Sequence, residues 1–399
     1  MSASNRQRFG ISRTVLVLGI VSLLTDISSE GIYPLIPLFL TNVLHAEVIA
    51  VGLIEGVAES TASVLRIFSG RLSDVLANRK WITAAGYTLS TISKPLFALT
   101  TSWQQVFGVR FADRVGKGVR AAPRDALIAD VTPVETRGIS FGFHRAMDTV
   151  GAVAGPLLAF WLLKSLGAGY RTILLLSAVP AVLGVLILIA FVREPSRAQV
   201  TRGEVPSLRL GAFGRYFKFF LLVVVVFSLG NSSDVFLILR AQNVGIDVGS
   251  ILLIYVLFKS VEAALSTFAG AASDRLGRRN VIFAGYLIFA AVYAGFGFAP
   301  GGSTGIWVLF GFYGLHRAMT TGVQRAFAAD LISVEMRGTG LGAYHTLAGL
   351  ALLPASVVAG YLWDAVSPSA PFYFGAAMAL IAAVLLALLF RGSITYTDT

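Results

Sequence analysis

Shifted by 200 residues, this chain matches itself. Ser73-Asp74 falls on Ser273-Asp274, Ala129-Asp130 on Ala329-Asp330, and the Val-Glu-x-Arg-Gly run of 134–138 on that of 334–338. With a four-residue indel, Ser28-Ser29-Glu30 of the first half also falls on Ser232-Ser233-Asp234 of the second. Polar matches in this number and without gaps are hard to obtain by chance, so the fold must be built from two like halves.

Between these polar marks lie apolar runs, and about 20 apolar residues cross the hydrocarbon core of a bilayer. The runs fall at 13–41, 48–72, 81–101, 103–130, 138–165, 170–192, 215–241, 247–272, 280–300, 305–331, 338–364 and 369–391. A mean hydropathy of +0.76, with 56% hydrophobic and 13% charged residues, fits an integral membrane protein and not a soluble domain. The expected fold is therefore all-α, with twelve transmembrane helices in two pseudo-symmetric bundles: 1–192, a polar cytoplasmic linker at 193–214, and 215–399. Lys and Arg concentrate at the N-terminus, the turns near Arg79-Lys80, Arg137, Arg275-Arg278-Arg279 and Arg337, the linker and Arg391, whereas Lys164, Arg171 and Arg240 lie opposite. By the positive-inside rule both termini are cytoplasmic. The net charge of +11 and pI near 10.1 then reflect topology and anionic headgroups, and no nucleic-acid partner is implied. The first apolar stretch lacks a small-residue cleavage pattern and is too long for a signal peptide, so it is expected to be a retained helix. The absence of cysteine excludes disulfides.

Two cytoplasmic turns carry related motifs: Gly-Arg-Leu-Ser-Asp-Val-Leu-Ala-Asn-Arg-Lys at 70–80 and Gly-Ala-Ala-Ser-Asp-Arg-Leu-Gly-Arg-Arg at 270–279. Both resemble the signature loop of the major facilitator superfamily (MFS), although Val75 and Ala77 replace the usual Arg and Gly in the first copy. The resemblance covers nearly the whole chain and implies parallel halves with a substrate site near the midplane. It also implies a conformational latch formed by Gly70, Asp74, Arg79 and Lys80 in one half and by Asp274, Arg275, Arg278 and Arg279 in the other. The carboxylates of such a latch can cap a helix and pair with loop bases. Tyr33-Pro34-x-x-Pro37 and Gly151-x-x-x-Gly155-Pro156 are similar to elements of the twelve-helix drug:proton antiporter branch. Ala159 and Phe160 stand where that branch has Gly-Gly. Gly151, Gly155 and Pro156 also suit close helix packing in any membrane protein. The run from Asp113 through Pro123 to Asp130 resembles a little-characterised prokaryotic subgroup of the superfamily.

The fourth run, 103–130, carries Arg110, Asp113, Arg114, Lys117, Arg120 and Arg124 within an arc of roughly 120°. Against lipid each charge would be costly, so the arc must face protein or water. Asp113 and Lys117 have the spacing of a local pair, and Arg120 and Arg124 either face the site or snorkel near the cytoplasmic end. Asp26 and Glu30 lie one turn apart in the first helix. Loss of water makes a carboxyl hold its proton more readily and a basic partner does the reverse, so each is either a proton-coupling site or half of a static pair. Glu55 and Glu59 are weaker candidates. The resemblance assigns a basic residue of the fourth helix a part in coupling, with Arg110 or Arg114 the counterpart.

Asp113 and Asp148 complete this proton-coupling set, and His144 with Asp148 can relay protons. The substrate-binding set comprises Tyr33, Lys117, Arg120, His144 and Arg145 in the first half and Asn231, Asp234, His316 and Arg317 in the second. Lys117 and Arg317 are repeat equivalents, and two bases across the pseudo-axis suit an anion. His144-x-x-Met147 and His316-x-x-Met319 raise a soft metal, but the surrounding arginines oppose it, and neither a metal nor a cofactor is expected. Gly116-Lys117-Gly118 lacks P-loop spacing and no hydrolase or zinc-protease motif occurs, so an enzyme is not expected.

The expected function is proton-coupled export of a small anionic or zwitterionic solute by alternating access. The chain is expected to act as a lipid-embedded monomer in a prokaryotic plasma membrane. Uptake of an organic anion, or a transporter-like receptor, are the alternatives.

Overall fold

A computed structural model describes residues 11–76, 78–193, 213–299, 303–333 and 336–388. Most of the expected linker, the N-terminal bases, Ala77 and Arg391 lie outside the described residues, as does the side chain of Asp74. Twelve helical spans are present: α1 (Arg13–Asn42), α2 (Val48–Leu76), α3 (Arg79–Leu99), α4 (Trp103–Asp130), α5 (Arg137–Ser165) and α6 (Tyr170–Phe191), then α7 (Arg215–Asn243), α8 (Val248–Leu276), α9 (Arg278–Phe298), α10 (Ser303–Asp330), α11 (Arg337–Ala365) and α12 (Ala370–Leu388). Among the described residues, nine of them are long and apolar enough to cross a membrane on composition alone; α3, α4 and α10 are not. Those three carry much of the buried charge and polarity described below.

Local chemistry sets many of the ends. Ser12 accepts from the amide of Val15 at 3.3 Å, and Asn78 from that of Trp81 at 3.2 Å. Ser102 caps α4 while Gln105 reaches back to the amide of Thr101 at 2.7 Å, a reciprocal arrangement close to a capping box. Between α8 and α9 the chain turns at Gly277 with φ of 87°, a conformation that other residues resist. The second copy of the loop motif thus has glycine where its backbone needs one.

Three spans are interrupted within the membrane. α1 breaks at Tyr33-Pro34, where proline has no amide to donate; α6 breaks at Ser177, and α7 at Asn231–Asp234. Broken backbone is tolerated at that depth only where protein or a polar cavity satisfies it. The breaks in α1 and α7 lie within about a turn of equivalent positions in the repeat, which marks the expected level of a transporter's binding site.

The described residues form two compact units. The first holds those of Met1–Ala46, Val57–Arg202 and Val248–Val256; the second holds those of Glu47–Gly56, Gly203–Asp247 and Leu257–Thr399. In the first unit, α5 lies against α1 so closely that a Cβ on Gly151 would sit 2.8 Å from Cβ of Asp26, and one on Gly155 2.5 Å from the carbonyl of Ile27. Gly86 and Gly116 bring α3 and α4 together in the same way. Val15, Leu18, Val21, Tyr87, Leu127, Ile128 and Leu188 form the apolar core beside them. The second unit is built on aromatic rings: Phe227 stacks on Tyr286 at 4.1 Å and Phe289 on Tyr293 at 3.9 Å. There the Asp364 carboxylate caps the start of α2, accepting from the amides of Ile49 at 2.7 Å and Val48 at 3.3 Å.

Candidate functional site

Asp113 is buried halfway along α4, and its carboxylate is well supplied with donors. Oδ1 accepts from Lys94 Nζ at 2.9 Å and from Ser90 Oγ at 2.6 Å, both on α3. Oδ2 faces Arg110 Nη1 at 3.6 Å and Arg114 Nε at 4.0 Å. Arg114 in turn holds Glu59 of α2 at 3.1 Å, and the Arg110 guanidinium lies 5.5 Å from the centre of the Tyr33 ring. The local Asp113–Lys117 pair suggested by sequence spacing is replaced by a pair with Lys94, which is 1% exposed and would otherwise be a buried cation without a counter-charge. Lys117 is exposed, and among the described residues it makes no hydrogen bond or ion pair. The charges of Arg114, Glu59, Glu30 and Asp26 act on it.

A second group lies towards the N-terminal ends of α1 and α5 and the C-terminal ends of α2 and α4. Ser22 donates to Asp148, and His144 Nδ1 is 3.6 Å from the other oxygen of that carboxylate. Nε2 of His144 is buried without a hydrogen-bond partner among the described residues. Arg124 holds Asp125 at 2.9 Å, Arg66 holds it at 3.1 Å, and Arg145 is exposed. Arg120 does not snorkel. It is 5% exposed, with its guanidinium 4.3 Å from the centre of the Tyr87 ring. Of the two acids of α1, Glu30 accepts from the Tyr255 hydroxyl at 2.8 Å, and Asp26 makes no hydrogen bond or ion pair among the described residues.

In the second unit Tyr313 donates to Asp234 at 2.6 Å, and Glu262 lies between Arg317 at 3.7 Å and Lys259 at 3.9 Å. His316 is buried, with Nδ1 2.8 Å from the carbonyl of Gly285 and its ring between Phe227 and Phe289. Asn231 stands at the break in α7, its Oδ1 buried and without a partner among the described residues. At the loop motifs Arg79 pairs with Asp130 at 2.6 Å and Arg278 with Asp330 at 2.8 Å, so one link occurs in each unit. Arg278 also faces Asp274 at 3.6 Å; Arg279 donates to the carbonyl of Ala387 and Lys80 to that of Ile189. Arg275 is exposed, and Gly70 lies near Ala122.

Twelve helical spans in two sequence-related halves, with ionisable side chains buried among them, accord with the resemblance carried by the loop motifs, and sequence comparison agrees. A model of the Major Facilitator Superfamily matches residues 18–240 and again residues 210–397. The chain belongs to the Major Facilitator Superfamily. It is 35% identical over 397 residues to an uncharacterised MFS-type transporter of Methanocaldococcus jannaschii, covering 97% of each chain. Over 315 residues it is 24% identical to the cis,cis-muconate transport protein of Acinetobacter baylyi, 73% of each chain. The crystal structure of the nucleoside transporter NupG shares the fold, with a TM-score of 0.77 at 16% identity over 96% of this chain and 100% of that one.

This MFS protein is therefore a multi-pass membrane transporter for a small molecule. Sequence reasoning overlooked Lys94, Lys259, Glu262 and Tyr313. The first three were findable in principle, since each is an ionisable residue inside an apolar run. Tyr313 carried no such signal, because an aromatic residue in a membrane helix is unexceptional until its hydroxyl partner is known.

Proposed function

We propose that this transporter couples protons to the export of a small anionic or zwitterionic organic solute by alternating access. In this reading it works as a monomer in a prokaryotic plasma membrane, with both termini cytoplasmic. The observation that carries the proposal is Lys117: an exposed ammonium in the middle of a membrane helix, without a partner among the described residues, beside a network in which Lys94, Arg110 and Arg114 already face acids. An ammonium in that setting is suited to a solute carboxylate or phosphate. Arg317, its equivalent in the second repeat, plays the matching part there, with Asn231 and Asp234 at the break in α7 and His316 beside it. The relationship to a protein named for cis,cis-muconate transport supports an anionic solute.

Protons are handled by the acids of α1, Asp26 and Glu30, with Asp148 and His144 beside them. The ion pairs at Arg79 and Arg278 steady the cytoplasmic loops whose Asp74 and Asp274 form the latch. Export and uptake use the same residues in this scheme and differ in which gradient drives the cycle.

A binding screen tests the solute class. The solubilised protein is heated with pools of carboxylates, organic phosphates and organic cations. Stabilisation should come from an anionic or zwitterionic pool, and Lys117→Ala should weaken it ~10–100-fold, the effect of losing one charge-assisted hydrogen bond. Stabilisation by cations alone, unchanged in Lys117→Ala, would remove the basis for this proposal.

A further inference from the structure

The second unit contains an apolar crevice with a charge at its rim. α8, α9 and α10 enclose about 330 Å³ between them, lined by Phe268, Ala272 and Leu276 of α8, Ala284 of α9 and Met319 of α10. Small side chains at 272 and 284 leave the space, and Phe268 and Leu276 stand beside it 71% and 66% exposed. Asn280 is the one polar side chain lining it among the described residues, and its amide is committed to the carbonyl of Leu276 at 2.9 Å. An apolar space bordered by exposed apolar side chains offers nothing to a water-soluble ligand and much to hydrocarbon.

Arg275 stands at the rim. At 100° per residue it lies roughly 20° from Phe268 around α8, close to the C-terminal end of that helix. It is exposed and makes no hydrogen bond or ion pair among the described residues. The neighbouring bases are engaged, Arg278 with Asp330 and Asp274, and Arg279 with the carbonyl of Ala387. Asp274 faces Arg278 and lies about 100° further around α8, on the side away from Phe268. α9 starts at the same level, and Gly277 has no side chain to cap its first amides, so the positive end of that helix adds to the charge of Arg275.

We infer that this is a site for an anionic phospholipid, with a hydrocarbon tail in the crevice and the phosphate at Arg275. The crevice asks for hydrocarbon and the rim for a negative group, and an anionic lipid carries both at this spacing along the membrane normal. A guanidinium meets a phosphate with two parallel hydrogen bonds, whereas a zwitterionic headgroup would bring a cation to the same rim. The first repeat supplies a contrast within the molecule. Under the 200-residue shift Arg275 falls on Val75 and Asn280 on Lys80, and the start of α3 is capped by the side chain of Asn78 at 3.2 Å. The site is a property of the second repeat and gives Arg275 a role apart from the loop links made by Arg79 and Arg278. It depends on neither the solute nor proton coupling; in the orientation proposed above it faces the cytoplasmic leaflet.

The test is a lipid titration of the full-length protein in detergent, read by thermal unfolding and by native mass spectrometry. Phosphatidylglycerol should raise the melting temperature and stay bound as one retained lipid, and phosphatidylcholine with the same chains should do neither at the same mole fraction. Arg275→Gln should weaken the phosphatidylglycerol effect about fivefold, the effect of one basic residue near an anionic lipid surface. Arg137→Gln removes another exposed base at a helix end and should change nothing. Ala272→Phe should fill the crevice and abolish retention; if that variant fails to fold, the contrast between Arg275→Gln and Arg137→Gln still decides. Glycerol phosphate, a headgroup without tails, should not stabilise the protein.

Equal stabilisation by the two lipids overturns the site, as does a phosphatidylglycerol effect that survives Arg275→Gln or falls equally in Arg137→Gln. Stabilisation by glycerol phosphate as strong as that by phosphatidylglycerol assigns Arg275 to a free anion and overturns the lipid. A dimer without retained lipid that Ala272→Phe dissolves would mean that a second copy covers the crevice, and overturns it as well.

Discussion

Lys94 and Asp113 depend on one another. The ammonium is 1% exposed and 2.9 Å from a carboxylate that is 3% exposed, so removing either leaves the other charged and dry. Lys94→Ala should lower stability by about 3 kcal/mol or more, the usual consequence of breaking a buried pair. Thermal unfolding of the purified protein reads this directly, and Lys94→Ala combined with Asp113→Ala should recover part of the loss. The sequence shows that α4 holds too many charges for lipid, and their common arc could be read from helical spacing alone. It does not show which charge meets which. Asp113 and Lys117 have ideal local spacing, yet Asp113 turns to Lys94, because partner choice depends on how α3 is rotated against α4. The distinction between the matched Asp113 and the unmatched Asp26 has the same origin and appears only when the helices are packed.

At the scale of the helix, glycines decide how closely neighbours approach. A methyl group on Gly155 would lie 2.5 Å from the carbonyl of Ile27 and 2.7 Å from the amide of Gly31, so Gly155→Ala must push α5 away from α1. Overpacking of this kind costs about 1–3 kcal/mol. Gly138→Ala and Gly142→Ala, which meet nothing within 4 Å, are the matched controls in the same melting experiment. Asp364→Ala should release the first turn of α2 at a cost of about 1 kcal/mol. Faster amide exchange at Val48 and Ile49 than in the rest of α2 is the expected signature. Helix number and approximate ends were legible in the sequence, because a bilayer fixes the length of an apolar run. The break at Asn231–Asp234 was not, since it has no proline to announce it, whereas that at Ser177 is explained by Pro180, which has no amide for the carbonyl of Leu176. The cap by Asp364 was also hidden, because it joins residues more than 300 positions apart.

For the whole molecule, the 200-residue repeat carried the fold. The Ala-Asp matches that revealed it become intelligible in the structure, where Asp130 and Asp330 receive Arg79 and Arg278. Solute and direction were beyond the sequence, because both depend on a few side chains whose free or paired state is settled by packing. Reconstitution into liposomes containing a pH-sensitive dye, with solute pools added outside against an imposed proton gradient, tests the account most directly. An anionic or zwitterionic pool should drive proton movement in the antiport sense, and Asp26→Asn should abolish it while the protein remains folded. Proton movement in the symport sense would establish uptake in place of export; folded, correctly inserted protein that moves no protons with any pool would contradict proton-coupled transport.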